Sequence, residues 1–302
     1  MEAPRGTVAE RLAGAPISWG VCEVPGWGVM LPRERVLAEM RDLGLKATEL
    51  GALGYLGDQP GQIASLLATY SLGAVGGFVP LTLHDSGRRR RAEEDAMRAA
   101  ALLSGAGGTY FVTAVVVDEA WSTPFELDRG QWDELVAGLA MVDKVCDDNG
   151  LRQVLHPHVG TLVERADHIQ AVLDRSGVQF CLDTGHFSIG GANPVAFAVE
   201  NAHRVGLVHL KDVGMSHAPA VLDHEISLLQ ATKAGLFRPL GRGDVNVAAV
   251  VEALEQRGYT GWYVLEQDTT IDEAVAGSAQ PAADVEQSIG YLMGTNAGAR
   301  GA

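Results

Sequence analysis

The sequence predicts a single α/β domain, a (β/α)8 TIM barrel, from three observations. Eight apolar, often β-branched runs alternate with amphipathic stretches, and no break in composition separates one part of the chain from another. The length, 302 residues, lies within the range that one such barrel occupies. Several of the apolar runs stop at a His, Asp, Glu or Lys followed by a Gly- or Pro-bearing loop, as expected where parallel strands open on one face. A doubly wound sheet is the alternative. It would carry a GxGxxG turn after its first strand, which is missing, and it would scatter the polar strand ends to both sides of a switch point.

Each element follows from local signals. Residues 1–13 read as a polar arm, 14–295 as the barrel and 296–302 as a Gly/Ala tail. APISWG (15–20) is the first strand, and Pro32 opens a helix over 33–43 that Gly44 closes. KATELG (46–51) is the second strand, with Glu49 at its tip and a helix near 63–70 after it. The third strand lies within LGAVGGFVPLTLHD and ends near His84; a helix over about 93–103 follows. TYFVTAVVVD (109–118) is the fourth strand and 131–149 a long helix. Strand five ends at His156, strand six at Asp183 and strand seven at Lys211, with helices over 166–174 and 194–201 between them. Residues 213–245 exceed a normal connection, and such loops often act as lids. A helix over 247–257, a strand in GWYVLEQD ending at Glu266 and a helix over 282–293 complete the chain.

Composition narrows the function. A hydrophobic fraction of 47% with 37 glycines and only 6% aromatics suits a chain of many βα turns. Cys22, Cys146 and Cys181 have no CxxC spacing and read as reduced thiols, with Cys181 packed in the core. A net charge of -15 opposes binding to nucleic acid or to an anionic membrane, and the RRRR run at 88–91 reads as a solvated loop and helix start. The first residues show no basic region followed by an apolar one, and no apolar stretch reaches a membrane span, so a soluble cytoplasmic protein is expected.

The polar strand ends carry the chemistry. His156, Asp183, His209 and Glu266 stand at the ends of four consecutive strands, a set of two imidazoles and two carboxylates. That set suits Mn2+, Co2+, Fe2+ or Zn2+ better than Ca2+. Singly, each residue has a plainer reading: a hydrogen-bonded core histidine, or in Asp183 a cap for the following turn. His158, two residues beyond His156, faces the same side and can meet substrate. Lys211 can stabilise an oxyanion or pair with Asp212 or Glu266. Trp19, Phe78 and Trp121 can wall a pocket with apolar faces, though Phe78 also reads as core. Trp262 reads as lower barrel, His84 as a supporting residue, and His168 and His203 as surface. His217 and His224 reach the mouth only if the long segment folds over it.

HPHxGT, LDTGH, VHLKDV, GRGDV (241–245) and GYxGW followed by LEQD resemble the xylose-isomerase-like barrels, specifically their inosose dehydratase branch, from Ala15 to about Met293. The resemblance implies dehydration of 2-keto-myo-inositol with a divalent metal, Mn2+ or Co2+ first and Zn2+, Fe2+ or Mg2+ as alternatives. In keto-sugar epimerases of the family the metal is held by Glu, Asp, His and Glu, and the first of these falls at His156 here. Where inosose dehydratases carry an Asn-Asp pair, this chain has WGVCEVPGWG, so a related cyclitol or keto-sugar is also an expected substrate.

Dehydration of such a ketone needs a cation on the carbonyl, a base for the α proton and an acid for the departing hydroxyl. Glu266 and Glu49 are the candidates for proton transfer; His186 and His158 can hold hydroxyls or protonate the leaving group. An epimerase or isomerase is the runner-up and needs a second base from Glu49 or His158. A non-catalytic sugar-binding barrel is a third reading, opposed by the cost of convergent charges in a pure binder. A nuclease is disfavoured by the acidic surface and the few ligands. Barrels of this kind often pair, so a homo-oligomer is an expected state.

Overall fold

The computed structural model describes residues 6–273 and 276–299, so the extreme ends of the expected arm and tail fall outside the described residues. Eight parallel strands close into a barrel: Leu12–Gly14, Ala47–Thr48, Gly73–Leu81, Tyr110–Val115, Arg152–Leu155, Gln179–Asp183, Val205–Leu210 and Tyr263–Leu265. The third strand is interrupted at Val75, so its two parts, Gly73–Ala74 and Gly76–Leu81, pair with the second and fourth strands respectively. The first strand pairs with the last, Ala13 beside Val264.

Period two along each strand sorts the core into two layers. Ala13, Ala47, Val112, Val154, Cys181, Leu207 and Val264 fill the interior with Trp262, small residues on the first two strands leaving room for the indole. Their neighbours Leu12, Phe111, Leu155, Phe180, Leu182, Val208 and Leu265 face the helices.

Most differences from expectation lie at element ends. The first strand is Leu12–Gly14, because Pro16 turns the chain into a 3-10 helix, Pro16–Trp19, where a strand over 15–20 was expected. Leu12 and Ala13 therefore belong to the barrel and not to an arm. Arg11 before them is buried and closes the base through Glu255 (2.5 Å) and the Tyr259 and Gly261 carbonyls. The helix Thr184–Ile189, directly after Asp183, has no counterpart in the expected elements. The last helix, Gln280–Ala299, takes in the first residues of the expected tail. His168 is buried against Trp132 with Glu126 at 3.8 Å, not on the surface, because it lies on the inward stripe of Ala166–Arg175. The four arginines at 88–91 do lie in solvent, each paired with a surface carboxylate.

The long segment after strand seven is folded. Asp212–Val213 pairs antiparallel with Phe237–Arg238, and helices Ala218–Leu222 and Leu228–Lys233 lie between. Asp212 ties its base: the carboxylate accepts the backbone N–H groups of Val213, Gly241, Gly243 and Val245 at 2.9–3.0 Å. A Cβ on Gly243 would meet the Asp212 carboxylate at 2.2 Å, which explains the glycine of GRGDV. Asp212→Ala strands these donors, and we expect a loss of about 3–5 kcal/mol. A melting curve should show Tm falling by roughly 10 °C, and a fall under about 2 °C refutes this account of the anchor.

Candidate metal and proton-transfer site

The same alternation that builds the interior places the polar residues. Ala47 leads to Glu49, Val154 to His156, Cys181 to Asp183, Leu207 to His209 and Lys211, and Val264 to Glu266 and Asp268. Each is the next inward position beyond a core residue, so the barrel's upper layer is built of charges and imidazoles. A cavity of about 510 Å³ at the opposite end, lined by Arg152, His203, Arg257 and Tyr259, contains none of them.

The four expected ligands form a run of close neighbours. His156 Nε2 lies 3.4 Å from Asp183 Oδ2, and His209 Nδ1 lies 3.8 Å from the same oxygen and 2.5 Å from Glu266 Oε2. Asp183 Oδ2, His209 Nδ1, Glu266 Oε2 and His156 Nδ1 are nevertheless buried without a hydrogen-bond partner. His209 and Glu266 form an ion pair at 2.5 Å, and Asp183 Oδ2 beside them stays unsatisfied, which costs several kcal/mol unless a shared cation takes it up, so this donor set fits a divalent metal. Asp183 also caps the following helix, its Oδ1 accepting the His186 N–H at 2.8 Å. The cap and ligand readings of that residue are compatible, one per oxygen.

Lys211 is fully buried. Its Nζ lies 2.8 Å from Asp268, 3.0 Å from Glu266, 3.4 Å from Asp183 and 3.1 Å from His186 Nε2. The expected pairing with Asp212 does not form, because Asp212 is occupied by backbone donors; the pairing with Glu266 does. A Cβ on Gly185 would strike the Lys211 stem at 2.8 Å, so the glycine of LDTGH makes room for it. Burial opposes the charge on Lys211, but Asp183, Asp268 and Glu266 overcome it and hold its pKa well above the usual value. Burial likewise opposes ionisation of Glu266, while His209 and Lys211 bring its pKa well below the usual carboxylate range. Burial, His156 and Lys211 lower His158 to about 3, and burial, His158 and Lys211 take His186 well below its ordinary value. These two rings, with centroids 3.9 Å apart, are therefore neutral.

The remaining expected residues divide. Phe78 stacks on Trp121 at 6.1 Å, and both flank His158, forming the apolar wall. Trp19 is not part of it: the 3-10 turn rotates it outward, where its indole N–H donates to Glu39 at 2.7 Å. Glu49 is not free for substrate, since its Oε1 lies 3.0 Å from His209 Nε2, the ring nitrogen opposite Nδ1. His84 packs against Phe125 at 5.5 Å, and His224 meets the buried Glu164 at 3.2 Å. Two residues were missed. Asp268 could have been found from its spacing, two beyond Glu266. Phe237, whose ring lies 5.0 Å from Lys211 Nζ, comes from the long segment and left no sequence signal.

Comparisons with known proteins agree with this architecture. The family model described as xylose isomerase-like TIM barrel matches residues 34–293. An inosose dehydratase of Geobacillus kaustophilus is 30% identical, covering 88% of this chain and 89% of its own. The rhizopine catabolism protein MocC of Rhizobium meliloti is 30% identical over 87% of this chain and 83% of its own. A solved L-ribulose 3-epimerase superposes with a TM-score of 0.69 at 19% identity, over 96% of this chain and 97% of its own. Among the described residues no helix is long and apolar enough to cross a membrane. The chain is thus an enzyme related to the inosose dehydratases, and it belongs to the xylose isomerase-like TIM barrel family.

Proposed function

We propose that this enzyme removes water from an inosose such as 2-keto-myo-inositol, or from a close ketocyclitol, with a divalent metal as cofactor. One observation carries the reading: the carboxylates of Asp183 and Glu266 lie 3.8 and 2.5 Å from one nitrogen of His209, beside a fully buried lysine that meets both. The 30% identity to an inosose dehydratase supports the choice of substrate class. When bound by His156, Asp183, His209 and Glu266, a divalent cation supplies Lewis-acid polarisation of the ketone and an adjacent hydroxyl. Mn2+ or Co2+ suits the mixed nitrogen and oxygen donors best, with Fe2+ and Mg2+ as alternatives.

The chain's own residues then move the protons. Glu266 takes the α proton at its carboxylate, which His209 and Lys211 hold in place. Lys211, 3.0 Å from Glu266 Oε1, counters the negative charge that builds on the enediolate. His158 donates from Nδ1 to the Val159 carbonyl at 2.7 Å, which leaves Nε2 to accept from a ring hydroxyl. Lys211 supplies the proton for the departing hydroxyl and regains one from Glu266, 3.0 Å away, while His186 Nε2 orients its ammonium. One C–H and one C–O bond break, one C=C bond forms, water leaves, and the site regains its starting protonation. Phe78 and Trp121 offer flat faces to the ring C–H groups.

Incubating chelator-stripped protein with Mn2+ or Co2+ and 2-keto-myo-inositol in heavy water, followed by NMR and ultraviolet absorbance, tests the reading. A dione chromophore with loss of water is expected. Deuterium entering beside the carbonyl without loss of water selects the epimerase instead, and no change overturns both. The dehydratase is favoured because epimerisation needs a second base, whereas Glu49 is engaged on His209 and the His158 Nδ1–H is spent on the Val159 carbonyl.

Glu49 has the place of a positioning residue behind a metal-binding histidine. Glu49→Gln is expected to weaken Mn2+ binding about 10- to 100-fold in a competition titration, with the circular dichroism spectrum unchanged. Affinity within about threefold of wild type contradicts that role.

A further inference from the structure

A softer donor set lies just beneath the carboxylates. Cys181 stands two residues before Asp183 on the same inward face of strand six and is fully buried. Its sulfur and one nitrogen each of His156 and His209 lie within 4.8 Å of one another. Metal bonds of roughly 2.0–2.3 Å to nitrogen and sulfur place tetrahedral ligand atoms a little over 3 Å apart, so small inward shifts close this triangle. His156 is 1% exposed, and its Nδ1 is buried with no hydrogen-bond partner while Nε2 faces Asp183 at 3.4 Å, so the ring has one nitrogen for each set. His156 and His209 thus belong to two candidate donor sets, an upper one with the oxygens of Asp183 and Glu266 and a lower one with sulfur.

We propose that His156, Cys181 and His209 form a thiolate metal site in the barrel interior that takes thiophilic divalent ions, Zn2+ or Cd2+, in preference to the upper position. Two imidazoles and a thiolate favour soft and borderline ions, whereas carboxylates favour Mn2+ and Mg2+. As the S–metal bond forms, the Cys181 S–H bond breaks and its proton leaves to solvent, with no change of oxidation state. An ion held there blocks both histidines yet sits a layer below the position proposed for substrate activation, so Zn2+ and Cd2+ act as inhibitors that compete with Mn2+. The site shares its histidines with the proposed catalytic metal, but its readout is that of the sulfur.

The test is absorbance spectroscopy of the full-length, chelator-stripped protein titrated with Cd2+ and with Co2+. A sulfur-to-metal charge-transfer band in the ultraviolet is expected in the wild type and in Cys22→Ser, and its loss in Cys181→Ser. The same variant should bind Cd2+ at least about tenfold more weakly and keep its Mn2+ affinity. Visible Co2+ bands without charge transfer overturn this site while leaving the dehydratase reading intact. A band that survives in Cys181→Ser assigns the thiolate elsewhere and also overturns it. No bands of either kind overturn both. Because the wild-type band is itself a readout, poor folding of the variant does not remove the test.

Discussion

Glu266→Gln should lower kcat for dehydration by about three orders of magnitude at saturating Mn2+. The substitution keeps the shape and one ligand oxygen but removes the lone pair that takes the α proton. It also removes the charge that draws Lys211 to 3.0 Å and His209 to 2.5 Å. The informative measurement is exchange of the α hydrogen with heavy water, run beside kcat. If Glu266 is the base, both fall together. If Glu266 serves only as a ligand, raising the Mn2+ concentration restores the rate. A kcat within about tenfold of wild type contradicts the assignment.

The second large effect is expected from Lys211→Met, and its direction depends on metal. Without the ammonium, Asp183, Glu266 and Asp268 are left as carboxylates in a dry layer with no lysine at 2.8–3.4 Å. Removing one partner of a buried charge cluster costs about 3–5 kcal/mol, so the metal-free variant should melt well below the wild type. Mn2+ replaces part of the lost positive charge, and a larger rise in Tm on adding metal is expected for the variant than for the wild type. Turnover stays low even with metal, by about 10²- to 10³-fold, because the cation opposite the enediolate is gone. Identical metal-free melting curves for the two proteins contradict this picture.

The fold was legible because its signals are local and repeated. Strand six was read to its final residue, and the helix over Arg33–Asp42 was framed correctly by Pro32 and by Gly44, whose φ is +81°. The first strand was misplaced because Pro16 and the apolar residues around it suit both a strand and a 3-10 turn. The inward period carried His156, Asp183, His209, Lys211 and Glu266 to one place, since strand alternation requires no knowledge of contacts. Trp19 broke that period on a 3-10 turn, and the indole went to Glu39 instead of the pocket.

Taken alone, the sequence determined the barrel, the order of its strands and which side chains stand at their C-terminal ends, because both periodicity and turn chemistry are written within a few neighbouring residues. Partnership was decided only by the tertiary structure. Asp212 ties the long segment through four backbone donors, Glu49 backs His209, Asp268 reaches Lys211, and Phe237 arrives from 26 residues beyond Lys211. Each of these contacts joins groups that are adjacent in space through barrel closure and loop packing. Their energies depend on burial and distance, which no local pattern encodes.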